Sequence, residues 1–360
     1  MASELSSHLE LGSSLTVPNV QELASAIAPS EIPERYFRPE AETRLVDSID
    51  DDELPVIDLM KLVDPELFDK EELSRLGLAC REWGFFQLIN HGVTKEMIEK
   101  TKNDIMGFFK LPLKEKDAFK QLPGQIEGYG QMFVHSEEQK LDWADMLTLV
   151  TKPHQDMRFW PINPSSFRDT IDKYTLKIEN VVDCLYRLMA KDLGIDPQVM
   201  LKNLSMQMQS IRINYYPPCK QANKVLGLSP HSDGIALTVL LQANDVKGLQ
   251  IKKNDKWLLV KPKPGAFIVN IGDMLEIMTN GKYKSVEHRA IINMEEARLS
   301  IATFHLPNID VILRPFLELI NGDGELYKTI SVKEYTKEYF SRKLNGKSAL
   351  ESMKLKKKGG

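Results

Sequence analysis

The chain has 360 residues and a formal charge of −4, with 47 lysines and arginines against 51 aspartates and glutamates. Its 42% hydrophobic and 27% charged residues are typical of a globular protein, which excludes collagen-like and wholly disordered classes. The near balance of charge excludes the electrostatic footprint of a duplex nucleic-acid binder. The length predicts one large or two medium-sized domains.

The cysteines and the hydrophobic runs indicate the compartment. Cys80, Cys184 and Cys219 are odd in number and widely spaced, so they predict neither a disulfide framework nor a metal clamp. We find no signal peptide, no run of eighteen apolar residues and no lipidation motif. We therefore expect a cytoplasmic protein that does not contact membranes. The absence of a heptad pattern or a long apolar edge favours a monomer.

The N-terminal half begins with residues 1–50, which are rich in serine, alanine, glutamate and proline and predict a loosely ordered arm. Residues 51–204 are expected to be mainly helical, with a few strands, and Gly194 is expected to end the longest helix. The elements predicted in this half are a short helix near Val20–Ile27, strands at Leu54–Leu59 and Trp83–Ile89, and helices at residues 70–82, Thr94–Lys110 and Ser166–Leu193.

The C-terminal half changes character, because residues 205–310 consist of short β-rich runs separated by turns every 8–12 residues or so. No intervening helix is long enough for parallel crossovers, so we predict an antiparallel jelly roll in a mainly β fold with surrounding helices. Residues 311–360 are predicted to form a helical tail. The clearest strands are predicted at Ser210–Tyr216, Ala236–Gln242, Gly248–Lys252, Trp257–Val260, Ala266–Asn270 and Leu299–Phe304.

A candidate metal site begins with the triplet His231-Ser232-Asp233, which is weak evidence alone. On an extended chain, positions i and i+2 point to the same side, so this imidazole and carboxylate can bind one ion. His288 lies downstream in the same region, where the chain is expected to return on the facing sheet. Two histidines and one carboxylate form the facial triad of non-haem Fe(II). A zinc hydrolase remains an alternative, but it needs a general base, and no HExxH-like helix supplies one.

A candidate anion clamp follows ten residues later. Arg298 and Ser300 share one face of a predicted strand, where a guanidinium and a hydroxyl can hold a carboxylate. A dicarboxylic acid can then chelate the metal and be held by Arg298 at its other end. The alternative is a surface arginine in a salt bridge. On another strand Arg212, Asn214 and Tyr216 share a face, from which Tyr216 and Asn214 can donate hydrogen bonds to the same acid. The alternative for Tyr216 is an aromatic ring that fills core space.

Together these motifs resemble those of plant 2-oxoglutarate- and Fe(II)-dependent dioxygenases. The resemblance spans about residues 50–345 and is strongest to the senescence-related-gene-like branch, which includes opium-alkaloid O-demethylases and norcoclaurine-synthase-like proteins. The matching segments are Leu54–Asp58, Glu82–Gly92, Leu141–Asp145, Asn214–Cys219, His231-x-Asp233, Gly248–Ile251, Asn270–Asp273, Asn280–Arg289 and Arg298-x-Ser300.

The resemblance implies a double-stranded β-helix core, with iron bound by His231, Asp233 and His288. It also implies that Arg298 and Ser300, assisted by Tyr216 and Asn214, hold the distal carboxylate of 2-oxoglutarate. Such an enzyme consumes O₂ and 2-oxoglutarate, is supported by ascorbate, and releases succinate and CO₂. The substrate carbon is hydroxylated, or an O-methyl group is lost as formaldehyde.

The substrate pocket is implied by the same resemblance. Family pockets are lined from the loop before the long helix, the first barrel strand and the strand that follows the clamp arginine. Phe304 suggests stacking against a flat ring, so we expect an aromatic specialised metabolite: an alkaloid, a phenolic or a flavonoid. Hydroxylation and O-demethylation both stay open, and each pocket candidate can instead be a packing residue. The candidates are Met146, Thr148, Arg212, Phe304, His305 and Leu306.

Two further functions stay open at this point. An iron oxidase of the same fold that does not use 2-oxoglutarate would employ Arg298 and Ser300 to bind another carboxylate. A non-catalytic jelly-roll binding or storage protein would have no need for His231, Asp233 and His288 together.

Overall fold

A computed structural model of the chain describes residues 14–26, 31–42, 53–123, 125–204, 208–320, 322 and 324–356. Within these ranges the α-helices are α1 (Val20–Ala26), α2 (Met60–Val63), α3 (Lys70–Leu78), α4 (Lys95–Phe109), α5 (Leu113–Lys116), α6 (Phe167–Leu193), α7 (Pro197–Leu204), α8 (Asp273–Met278), α9 (Val332–Phe340) and α10 (Ser348–Met353).

The strands are β1 (Val56–Asp58), β2 (Phe85–Ile89), β3 (Gly128–Gly130), β4 (Asp145–Lys152), β5 (Met208–Tyr216), β6 (Leu228–His231), β7 (Leu237–Gln242), β8 (Leu249–Lys253), β9 (Lys256–Leu259), β10 (Phe267–Ile271), β11 (His288–Ala290), β12 (Arg298–Leu306), β13 (Ile312–Leu313) and β14 (Ile330–Ser331).

Two sheets form the core of the described residues. The larger has the order β1-β2-β10-β7-β12-β5-β4-β3 and the smaller β6-β11-β8-β9, while β13 and β14 pair separately. Only β1 and β2 pair in parallel among these strands. From β5 to β12 the chain passes repeatedly between the two sheets, and within this stretch only β8 and β9 are consecutive strands of the same sheet; such crossing is typical of a jelly roll. The predicted fold, a β-rich jelly roll with surrounding helices, is confirmed.

The long helix α6 lies within one residue of its predicted range. Its buried side chains recur at intervals of three and four residues, from Phe167 through Ile171, Tyr174 and Ile178 to Leu185. Gly194 has a left-handed φ of 71°, where the next amide can bond back to the carbonyl oxygen of Ala190. Helix α6 packs against α3, α4 and α7, so it forms the centre of the helical layer.

The predicted helix at residues 70–82 is divided in the structure. Helix α3 ends at Leu78, and one π-helical turn, Ala79–Trp83, follows. Gly84 has φ 62°, and a Cβ at this position would lie 2.1 Å from the carbonyl oxygen of Lys284. Strand β2 therefore begins at Phe85, two residues later than predicted, because the chain must first make this close backbone contact.

The described part of the N-terminal arm is docked on the core. The backbone N–H groups of Val20 and Gln21 donate to the two carboxylate oxygens of Asp145 on β4, at 2.9 and 2.8 Å. Val20 is fully buried, and Tyr36 packs edge-on against Trp143. The arm thus contributes to the core where it is described, and the end of its predicted helix at Ile27 lies outside the described residues. The division at residues 50, 204 and 310 stays a prediction.

Candidate metal centre

Three ligand-type side chains converge at one end of the smaller sheet. His231 ends β6 and is the direct register partner of His288, the first residue of β11. Asp233 follows two residues after β6, and its Oδ1 lies 3.5 Å from His231 Nε2 and 3.7 Å from His288 Nε2. The sequence placed His288 on the facing sheet, which is wrong: the two histidines lie on adjacent strands of the same sheet.

The outer atoms of the three side chains are held by hydrogen bonds. The Nδ1 atoms of His231 and His288 lie 2.8 and 3.1 Å from the carbonyl oxygens of Ser229 and Val286, contacts that only a protonated Nδ1 can satisfy. Asp233 Oδ2 accepts hydrogen bonds from Thr238 and Asn270. Both Nε2 lone pairs and Asp233 Oδ1 are consequently left to face one another.

Electrostatics favour a cation among these atoms. Burial acts to raise the pKa of Asp233, but the facing His288 and His231 hold it well below its usual range. Burial, together with the neighbouring His231, lowers the pKa of His288 to about 4. At neutral pH the site therefore offers a carboxylate and a neutral imidazole as electron-pair donors.

The donor set fits divalent iron. One ligand atom from each residue lies within 4.8 Å of the others, and all three side chains are buried. His231 Nε2 has no hydrogen-bond partner within the described part of the chain, as expected for an atom whose partner is a metal. Two imidazoles and one carboxylate on one side of an ion leave positions open for small ligands.

The predicted clamp lies on the larger sheet and faces this centre. Arg298 and Ser300 on β12 are the register partners of Tyr216 and Asn214 on β5. These four side chains line one cavity, together with the ligands Asp233 and His288. Alternation along two paired strands explains the arrangement, because residues two apart share a face.

Arg298 is suited to receive an anion. It is 2% exposed, its Nη2 donates to Gln242 Oε1 at 2.9 Å, and its guanidinium lies 5.2 Å from the centre of the Tyr216 ring. Burial lowers its pKa. Its Nε and the Oδ1 of Asn214 have no partner, and Arg298 makes no salt bridge, in the ranges the structure describes. A surface salt bridge is therefore not its role, and its unpartnered Nε–H can donate to one carboxylate of a small diacid.

A second cavity adjoins the first. It shares Arg212, Asp233 and Phe304 with the clamp cavity, so the two cavities meet at these side chains. Its wall is largely apolar and includes the stacked rings of Phe133 and Phe340, whose centres lie 5.4 Å apart.

Four of the six predicted pocket residues line this second cavity: Thr148, Arg212, Phe304 and Leu306. His305 does not, because odd-numbered positions of β12 point away from the clamp face; it is fully buried and bonded to Gln209 and to the Leu237 carbonyl oxygen. Met146 is buried opposite Asn214, outside both cavity linings. The segment of Met146 and Thr148 is strand β4, where a loop was expected.

Sequence reasoning assigned no role to several residues that shape the site. Gln242 orients Arg298, and Asn270 and Thr238 orient Asp233. Asn270 belongs to a motif noted in the sequence, but only its contact shows what it holds. Phe133 and Phe340 lie outside residues 205–310 in the sequence, and no motif around either residue predicts a place in the cavity wall.

Comparison with known proteins identifies the family. The family model of the 2OG-Fe(II) oxygenase superfamily matches residues 207–307. A second family model, described as "non-haem dioxygenase in morphine synthesis N-terminal", matches residues 54–166. Over 348 residues the chain is 50% identical to S-norcoclaurine synthase 1 from Coptis japonica, with 96% of this chain and 98% of that protein covered. The chain belongs to the 2OG-Fe(II) oxygenase superfamily.

Two further comparisons support the same family. Codeine O-demethylase from Papaver somniferum is 43% identical, with 96% of this chain and 98% of that protein covered. The crystal structure of JOX2 in complex with 2OG, Fe and JA superimposes with a TM-score of 0.86 at 34% identity, covering 95% of this chain and 99% of that one. The predicted relationship and the predicted enzyme class, a 2-oxoglutarate-dependent dioxygenase, are confirmed.

Iron and 2-oxoglutarate are thus the cofactor and cosubstrate of this 2OG-Fe(II) oxygenase. When bound, the iron would supply the oxidising chemistry, and the protein would position the reacting groups. The described residues include no helix with the length and hydropathy needed to cross a bilayer. The use of ascorbate, the cytoplasmic location and the monomeric state stay predictions.

Proposed function

We propose that this 2OG-Fe(II) oxygenase hydroxylates or O-demethylates an aromatic plant specialised metabolite, an alkaloid, a phenolic or a flavonoid. In the proposed reaction 2-oxoglutarate is converted to succinate and CO₂. His231, Asp233 and His288 hold the iron, and Arg298, Ser300, Tyr216 and Asn214 hold 2-oxoglutarate. Thr148, Arg212, Phe304 and Leu306 contact the substrate.

The observation that carries the proposal is the second cavity. Its apolar, aromatic wall suits a flat ring, and Asp233 belongs to the same wall, so a ring bound there has its edge near the metal. Buried side chains around both cavities exclude water from the reacting carbon. The names of the relatives S-norcoclaurine synthase and codeine O-demethylase support an aromatic alkaloid or a related ring system.

The test is turnover with a plant metabolite extract in the presence of Fe(II), ascorbate, O₂ and 2-oxoglutarate. Succinate is quantified, and products are sought as mass increases of about 16 (one oxygen gained) or decreases of about 14 (one CH₂ lost). Formaldehyde accompanies only the second outcome, so it separates O-demethylation from hydroxylation. The matched control is Asp233→Ala, which removes one proposed metal ligand. The aromatic side chains that line the two cavities are unchanged in this variant.

We expect succinate and a mass-shifted product with the wild-type enzyme and neither with the control. If the iron-loaded enzyme forms no succinate, with or without extract, the proposed reaction is wrong. If succinate forms and every shifted product lacks an aromatic ring, the enzyme class stands and the proposed substrate class is wrong.

A further inference from the structure

Arg212 is a buried cation without a counter-ion. It is 7% exposed, and its guanidinium lies 5.0 Å from the centre of the Phe304 ring. Its Nε has no hydrogen-bond partner, and no carboxylate in the described residues forms a salt bridge with it. Asp233, on the same cavity wall, makes its contacts with His231 and His288 instead.

The other buried arginines of the described chain are partnered. Arg38 bonds to Ser229 and Asp142, Arg289 donates to Gln250, and Arg298 donates to Gln242. An arginine stays charged at any physiological pH, and a buried charge without a partner is strongly unfavourable. The donors of Arg212 therefore indicate a ligand that carries the missing negative charge.

The position of Arg212 separates it from the 2-oxoglutarate clamp. Along β5 the clamp residue Tyr216 pairs with Arg298, whereas Arg212 pairs with Ala302, four residues further along. At about 3.3 Å per residue, the backbones of Arg212 and Tyr216 lie roughly 13 Å apart. Arg212 thus lies where the clamp cavity opens into the apolar cavity. Thr336, whose buried hydroxyl also lacks a partner, lines the same apolar cavity.

We propose that Arg212 binds a carboxylate of the organic substrate, so that the substrate is an aromatic carboxylic acid rather than a neutral ring or an amine. This inference rests on the proposed function and narrows its substrate class. The Phe304 ring lies beside the guanidinium group, and the planar fork of N–H donors can make two charge-assisted hydrogen bonds to one carboxylate. The aromatic part of the acid occupies the apolar wall formed by Phe133 and Phe340.

The test compares matched ligands on the enzyme loaded with Fe(II) and 2-oxoglutarate, without oxygen so that no turnover occurs. The probes are methoxylated aromatic acids of one to three rings, beginning with para-methoxycinnamic acid, each with its methyl ester and its corresponding amine. Calorimetry gives the dissociation constants. We expect the best acid to bind at least about tenfold more tightly than its ester, because one charged hydrogen-bond pair is gained.

Two variants connect this preference to the side chain. Arg212→Gln keeps hydrogen-bond donors but removes the charge, and we expect the acid-to-ester ratio to fall to about one. Arg212→Lys keeps the charge without the planar fork and is expected to retain part of the preference. Because the buried charge has no partner, Arg212→Gln should unfold at the same temperature as the wild type or at a higher one; a merely structural role predicts a lower temperature.

Several results would overturn the inference. One is an ester or an amine that binds as tightly as its acid, and another is an acid series that shows no binding at millimolar concentration. A third is an Arg212→Gln variant that loses affinity for 2-oxoglutarate while its acid-to-ester ratio is unchanged. Turnover of a neutral aromatic ring would sustain the proposed function and refute this inference. Turnover of non-aromatic acids alone would refute the aromatic substrate class of both, and only the role of Arg212 in binding a carboxylate would stand.

Discussion

Gly248→Ala is expected to weaken 2-oxoglutarate binding without touching any ligand of iron. An added Cβ would lie 2.6 Å from Arg298 Cδ, 0.8 Å inside the 3.4 Å at which ordinary contact begins. It would also lie 2.9 Å from the carbonyl oxygen of Ile291. That backbone is fixed, because the Ile291 N–H donates to the Gly248 carbonyl oxygen at 2.8 Å. The arginine must therefore move.

The displacement is large for a hydrogen-bonding group. A shift of nearly 1 Å at Cδ breaks or distorts the bonds of the guanidinium, and one charged hydrogen bond is worth about 1.5–3 kcal/mol. We expect the dissociation constant of 2-oxoglutarate to rise by roughly 10- to 100-fold. Ferrous affinity should stay unchanged, since His231, Asp233 and His288 are not in contact with the new methyl group.

Anaerobic calorimetric titration with 2-oxoglutarate measures the effect, and a second titration with Fe(II) shows whether the metal site is intact. The matched control is Gly322→Ala, where an added Cβ meets no atom within 4 Å and φ lies outside the left-handed range. Unchanged 2-oxoglutarate affinity in Gly248→Ala would refute the assigned position of Arg298. An equal loss in both variants would indicate a general effect of the substitution.

Two further predictions concern Asn270, which lines the clamp cavity, and the buried His305. Asn270→Ala removes a hydrogen bond to Asp233 Oδ2 and should lower ferrous affinity by about 10- to 100-fold. Asn203→Ala, which loses the hydrogen bond from its side-chain Nδ2 to the Val199 carbonyl oxygen on α7, should leave ferrous affinity unchanged, and metal titration measures both variants. Burial lowers the pKa of His305 to about 4, below its ordinary 6.5. As the pH falls from 6.5 towards 4, His305 therefore becomes protonated in the unfolded chain but stays neutral in the folded chain, which destabilises the folded state. The wild type should therefore lose about 2 kcal/mol more stability than His305→Asn between pH 7 and pH 5 in urea unfolding, and equal losses would contradict the buried position.

Strand alternation explains why much of the site could be predicted. The face shared by Arg298 and Ser300, and that shared by Asn214 and Tyr216, follow from a period of two, and in the structure they line one cavity. The same rule excludes His305 from the face of Arg298 and Ser300, because His305 is an odd-numbered position of β12 and that face consists of even-numbered positions such as Phe304. The resemblance of motifs suggested His305, and the period of the strand corrects it.

Strand pairing could not be predicted in the same way. Strands β6 and β11 contain four and three residues and hold His231 and His288, and neither is long enough to show alternation. Which short strands become neighbours depends on the whole barrel. The sequence indicated that both histidines belong to the β-rich region, but only the fold makes them register partners.

The loop that contains Ser232 and Asp233 is held by residues of the C-terminal tail that lie more than a hundred positions away in the sequence. Tyr339 on α9 donates its hydroxyl to the Ser232 carbonyl oxygen at 3.0 Å. The Gly346 N–H donates to the Pro230 carbonyl oxygen at 2.8 Å and its carbonyl oxygen accepts from the Ser232 N–H at 3.2 Å, so its backbone pairs in parallel alongside His231. These bonds hold the loop from outside, while Phe340, next to Tyr339, lines the second cavity. Because the tail holds the loop of two proposed iron ligands and supplies a ring to the proposed substrate cavity, we expect a change in this tail to alter metal geometry and substrate choice together. Helical periodicity could predict the helix, but its amphipathic pattern is the same whether the buried face covers inert core or an active site.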